Sequence, residues 1–157
     1  MLLLALAIAA IQLLLARYLP VALYVDLSLV FTLYIGWRST PVRGAVCGSV
    51  LGILQDAVYR TVIGFNGLSK TVLGFFAAYL SQWVSLEGFA FRIAALVILA
   101  MLDNGLVGGL QTLIGEPAQE SFWAQALARS LLTGVAGELI FRFYDRFKMP
   151  PKDFQRL

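Results

Sequence analysis

Six stretches of nearly unbroken apolar sequence, separated by short polar or proline-containing breaks, set the pattern of this chain. They run over about residues 2–16, 21–37, 42–59, 67–84, 89–114 and 121–143. The apolar residues are continuous and rich in Leu and Ala rather than alternating with period two, so the pattern predicts helices and not barrel strands. A helix crossing a bilayer takes about 20 residues, and six such spans with short connections use up the chain. The breaks are chemically distinct. Arg17-Tyr18-Leu19-Pro20 closes the first span, because proline cannot continue the helical ladder and a basic and an aromatic residue suit the membrane interface. Arg38-Ser39-Thr40-Pro41 separates the second from the third, Ser85-Leu86-Glu87-Gly88 is a tight connection, and residues 115–120 form an acidic turn. After Tyr144 the sequence turns basic and loses its apolar pattern, which divides the chain into a six-helix transmembrane domain, 1–147, and a basic tail, 148–157.

Composition makes the apolar stretches membrane spans rather than core helices of a soluble protein. Hydrophobic residues are 60% of the 157 and charged residues 13%, with a mean hydropathy of +0.82, against about a quarter charged in soluble domains. The first stretch lacks a charged leading segment and a small-residue cleavage site, so it is expected to stay as a permanent span. Trp37, Trp83 and Trp123 fall at span ends, where interfacial anchors belong. The lone Cys47 can form no internal disulfide, and the absence of His argues against a zinc site. No phosphate-cradling loop and no nucleophile elbow is present, so neither an enzyme nor a cofactor is expected.

Lys and Arg placement gives the orientation. With both termini in the cytoplasm, the inner side receives Arg38, Arg43, Arg92, Arg142, Arg146, Lys148, Lys152 and Arg156, and the outer side Arg17, Arg60 and the acidic turn. The asymmetry predicts N-in, C-in. It also accounts for the net charge of +3 without nucleic acid.

Several charges fall inside the spans, where they need a reason. Taking ~1.5 Å per helical residue and a ~30 Å hydrocarbon core, Asp26, Asp56 and Asp103 all come to lie roughly 21–22 Å from the inner face. Lys70 and Arg129 are their expected counter-ions, with Asp56 paired to Lys70 across a short connection. Glu138 lies deeper and faces Arg142 at i+4. The polar layer reads either as a pocket open to the outside or as internal ion pairs that staple the bundle. Small residues form further lines. Gly44, Gly48 and Gly52 share one helix face and predict close packing within the chain, whereas Gly108 and Gly134 lie on separate lines open to a partner helix. The aromatic face of Phe75, Phe76 and Tyr79 is equally suited to lipid or to a partner.

The stretch Gly48-Ser49-Val50-Leu51-Gly52-Ile53-Leu54-Gln55-Asp56, followed by Gly64-Phe65-Asn66-Gly67-Leu68 and preceded by Pro20 and Asp26, resembles the rod shape-determining MreD family over nearly the whole chain. The resemblance implies a non-enzymatic inner-membrane component of the bacterial elongation machinery, with a fold similar to the substrate-binding subunits of energy-coupling-factor transporters. It implies pairing with the single-span protein MreC and, through it, support of the elongation glycosyltransferase and penicillin-binding transpeptidase, with the MreB filament on the cytoplasmic side. That fold likeness brings a rival reading, a vitamin-capturing transporter subunit. The scarcity of long polar outer loops counts against it.

Overall fold

The computed structural model describes residues 25–59, 62–83, 88–115 and 122–147, with side chains as far as residue 143. The expected first span, the Arg17–Pro20 break, the acidic turn at 116–120 and the basic tail lie outside the described residues. Within them the chain is helical throughout, as α1 (Leu27–Trp37), α2 (Pro41–Tyr59), α3 (Phe65–Leu80), α4 (Phe89–Leu113) and α5 (Phe122–Phe147). These five helices take the places of the second to sixth expected spans.

Local chemistry fixes each boundary. Asp26 was expected inside a span, yet it is the N-cap of α1: its side chain accepts from the Leu29 amide at 2.9 Å, which satisfies one of the free donors of the first turn. Pro41 opens α2 in the position where its missing N–H costs nothing. Gly64, at φ +108°, precedes α3, and Gly115, at φ +86°, follows α4; both conformations strain residues that carry a Cβ.

The helices pack as two units. α2 and α3 make the most extensive contact in the protein, and α1 lies against both. The reason is a seam without side chains. A Cβ added to Gly44 would meet the backbone of Gly74, one at Gly48 the Lys70 carbonyl, and one at Gly52 the Asn66 carbonyl. Gly36 of α1 joins the same contact, where a Cβ would lie 2.9 Å from the Gly74 oxygen. Such backbone-to-backbone approach is the usual means of holding helices together where lipid removes the hydrophobic drive. α4 and α5 form the second unit.

An apolar cluster joins the two units. Leu29, Val30 and Leu33 of α1 and Leu73 and Ala77 of α3 meet Leu96, Leu99 and Ala100 of α4 and Phe141 of α5. Phe141 also lies edge-on to Tyr34 and Trp37, with ring centroids 5.0 and 5.7 Å apart. Outside this cluster the surface stays apolar: Val46, Ile53, Phe76, Ile98, Leu102, Leu131 and Leu139 are all exposed. Patches of that extent are a liability in water and an ordinary surface in hydrocarbon. α4, with 25 residues and an 18-residue stretch of mean hydropathy 2.0, is the one described helix long and apolar enough to cross a membrane by itself. α1 is equally apolar and shorter.

Candidate functional site

Four of the five charged residues expected at one level come together where α2 ends and α3 begins. Lys70, fully buried, lies 2.9 Å from Asp26 Oδ2 and 3.2 Å from Asp103 Oδ2, so one ammonium serves two carboxylates. Ser69, its neighbour on α3, donates to the other Asp103 oxygen at 2.6 Å. Gln55 of α2 donates to Asp26 Oδ2 at 3.1 Å, and the Asp26 amide donates to Thr133 of α5 at 3.1 Å. The layer therefore draws at least one group from every described helix, with Asp26 coming from the cap of α1. Charges that would cost several kcal/mol each if left alone are paired and bonded here.

Asp56 has a different role from the one expected. Its carboxylate accepts from the amides of Gly64, Asn66 and Gly67 at 2.8, 3.3 and 3.3 Å and from the Asn66 side chain at 2.7 Å. It caps the first turn of α3 from the end of α2, where free N–H groups and the helix dipole both favour an anion. Lys70 reaches it only through Asn66, whose side-chain oxygen accepts from Lys70 Nζ at 3.4 Å. The expected Asp56–Lys70 pair is thus replaced by an Asp56–Asn66–Lys70 relay, because the amides of the turn already occupy the carboxylate. Gly64 and Gly67 of the sequence motif supply two of those amides.

Arg129 does not enter the layer. It stands on an exposed face of α5, and the ion-pair partner of both Asp26 and Asp103 is Lys70. Glu138 is buried one level away, where Oε1 accepts from Arg142 Nε at 3.4 Å and the Arg142 guanidinium lies 4.5 Å from the centre of the Phe89 ring. The other Glu138 oxygen has no hydrogen-bond partner among the described residues.

Two small residues expected to face a partner are internal. A Cβ on Gly108 would strike the Phe122 ring, and one on Gly134 would meet Val97 Cγ2 at 2.5 Å, so both lie in the α4–α5 contact. Gly109, by contrast, is exposed with open space around it. The sequence reading also passed over Ser69, Gln55, Asn66 and Thr133. Their signal was weak, since a single hydroxyl or amide within an apolar helix commonly bonds its own backbone, as Thr32 and Ser130 do at 2.8 and 2.7 Å.

Among the described residues no group of three or more His, Cys, Asp or Glu side chains is placed to hold a metal ion. Every carboxylate of the layer is engaged by a neighbouring amide, hydroxyl or ammonium, an arrangement suited to holding helices in register. This is a helical bundle whose buried charges are paired within one layer and whose outer surface is largely apolar, as suits a membrane protein. The family model described as rod shape-determining protein MreD matches residues 1–144, and the chain belongs to that family. Its members are bacterial membrane proteins with a role in determining rod shape. No curated protein and no solved structure gives a match.

Proposed function

We propose that this protein is a non-enzymatic scaffold of the cell-elongation machinery in the bacterial inner membrane. It crosses the membrane six times with both termini in the cytoplasm, as a domain over 1–147 and a basic tail over 148–157, in a fold akin to energy-coupling-factor substrate-binding subunits. It binds a single-span MreC-like protein and through it supports peptidoglycan synthesis by the elongation glycosyltransferase and transpeptidase, above the MreB filament.

The family match over 1–144 carries this reading. The geometry of the polar layer supports it over vitamin capture, because the Asp26, Asp56 and Asp103 carboxylates and the Lys70 ammonium bond to one another, to Asn66, Ser69 and Gln55, and to backbone amides, so that Gln55 Oε1 is the one buried side-chain acceptor of the layer without a partner among the described residues. A capture site needs polar groups left for its ligand. The layer is then an internal staple of the scaffold.

The test is purification from the native membrane together with depletion in the cell. A scaffold brings down a single-span protein with a periplasmic coiled coil, and its loss turns rods into spheres without a vitamin requirement. Retention of a vitamin by the purified protein, with no such partner, replaces this reading by the transporter subunit.

A further inference from the structure

The two helical units are joined by contacts of unlike kind. Within the α1–α3 unit the α2–α3 seam is backbone against backbone, with Gly44, Gly48 and Gly52 leaving no side chain to rearrange. Between α1–α3 and α4–α5 the contacts are made mainly by side chains, and these sort by level. Toward the Trp37 end they are apolar, as with Leu33, Ala77, Leu96 and Phe141. Toward the Gly64 end they are the bonds of Lys70 and Ser69 to Asp103 and of the Asp26 amide to Thr133.

The polar half of this joint is not closed on itself. Asp26 and Asp103 share one ammonium, and the Asp26 side chain keeps 22% of its surface exposed. Beside it, Gln55 Oε1 is buried without a hydrogen-bond partner among the described residues. Buried polar groups in native proteins are seldom left in that state. A shared ammonium, a partly exposed carboxylate and an unfilled acceptor thus adjoin one another here.

We infer that Lys70 is an ionic latch: it holds α4–α5 closed against α1–α3 at the Gly64 end, and release of its bond to Asp103 opens that end of the joint, as far as Leu99 at the border of the apolar cluster, as a water-filled cleft while the contacts of Leu33, Leu96 and Phe141 beyond it stay together. Lys70 keeps Asp26 as a partner when Asp103 leaves, and Asp26 and Gln55 bring acceptors that water can fill. The α2–α3 seam takes no part in the motion. The inference is independent of which membrane side the cleft faces and of which partner the scaffold binds.

The experiment reads cleft opening by thiol labelling of the full-length protein in lipid nanodiscs with a water-soluble maleimide. In a Cys47→Ser background, Leu99→Cys reports on the joint one turn from Asp103, and Leu51→Cys reports on the buried side of α2; both sites are buried. With the latch intact both label slowly. Asp103→Asn, which keeps the side-chain shape and removes the charge that Lys70 holds, raises Leu99→Cys labelling about tenfold or more, the scale expected for losing a charged hydrogen bond. Leu51→Cys labelling stays as it was. Lys70→Met gives a larger rise at Leu99→Cys if it folds, and Asp103→Asn alone decides the matter if it does not. Unchanged labelling at Leu99→Cys, or an equal rise at both reporters, overturns the latch: the first means a fixed staple and the second a general loosening.

Discussion

Asp56 and Asn66 are bonded side chain to side chain at 2.7 Å across the turn between α2 and α3, and the same carboxylate gathers three amides of that turn. The carboxylate thus organises a helix start, and this gives the Gly-x-Leu-x-Asp step and the Gly-x-x-x-Leu step after it a physical reason to occur together. The acid provides the anion, Gly64 the left-handed backbone at φ +108°, and Gly67 the close approach to Ile53.

Removing that anion leaves the first turn of α3 without its acceptor. Asp56→Ala is expected to destabilise by more than a simple cap, for which the loss is about 0.5–2 kcal/mol, because four donors lose their partner. Asn66→Ala costs less. Thermal unfolding in detergent of both variants and their combination gives a sub-additive cycle, since they share one bond. Asp56→Ala with Lys70→Met is expected to couple only weakly, through the shared Asn66, and rescue of Asp56→Asn by Lys70→Gln would show that the two are direct partners after all.

Lys70→Met strips the counter-ion from two buried carboxylates. Breaking a buried pair from one side costs about 3–5 kcal/mol, and two acids are left here, so folded yield is expected to fall more than with any other single change in the layer. Ser69→Ala removes one bond to Asp103 and is expected to cost about 1.5–3 kcal/mol, the range for a hydrogen bond to a charged group. Melting temperatures of purified variants rank the two.

Glycine substitutions separate the tight seam from open surface. Gly48→Ala drives a methyl into the Lys70 carbonyl and is expected to destabilise by about 1–3 kcal/mol, as overpacking does. Gly109→Ala meets open space and is expected to be neutral or to gain up to ~1 kcal/mol through helix propensity. Equal melting temperatures for the two would remove the packing argument.

Gly108→Leu and Gly134→Leu act on the α4–α5 contact, where the side chains would overlap Phe122 and Val97. Both variants are expected to lose folded monomer before any effect on partner binding can be read. Size-exclusion profiles of the isolated chain check this: a monodisperse peak at normal yield would put those glycines on a free face.

Orientation is testable from the connectors. In the N-in, C-in arrangement, Ser39→Cys in a Cys47→Ser background is expected to be shielded from a membrane-impermeant thiol reagent added to intact cells, and a cysteine placed at 116–120 is expected to react. The reverse pattern inverts the topology.

Helix positions were legible because a bilayer imposes long apolar runs, and prolines and charges had to fall between them. The common level of Asp26, Asp56 and Asp103 was legible from the helical rise alone, and Lys70 followed as a counter-ion. Their pairing was not. A rule that matches opposite charges assigns Asp56 to the nearest lysine, whereas the carboxylate found backbone amides, which a sequence does not advertise. Arg129 was misplaced for a related reason: helical spacing gives its depth but not the face it occupies. Gly108 and Gly134 show the same limit, since in a membrane protein both the lipid side and the inside are apolar, and a small-residue line looks alike in either place.

The sharing of Lys70 between two carboxylates bears on how the protein is made. Asp26 emerges before Lys70, but Asp103 follows it by 33 residues, a delay of roughly 2–7 s at ~5–20 residues per second of translation. In the six-span arrangement proposed above, the ammonium enters the bilayer with α3 during that interval and already has Asp26 at the start of α1 to meet. The first acid acts as an escort through insertion, and the second completes the bond when α4 arrives.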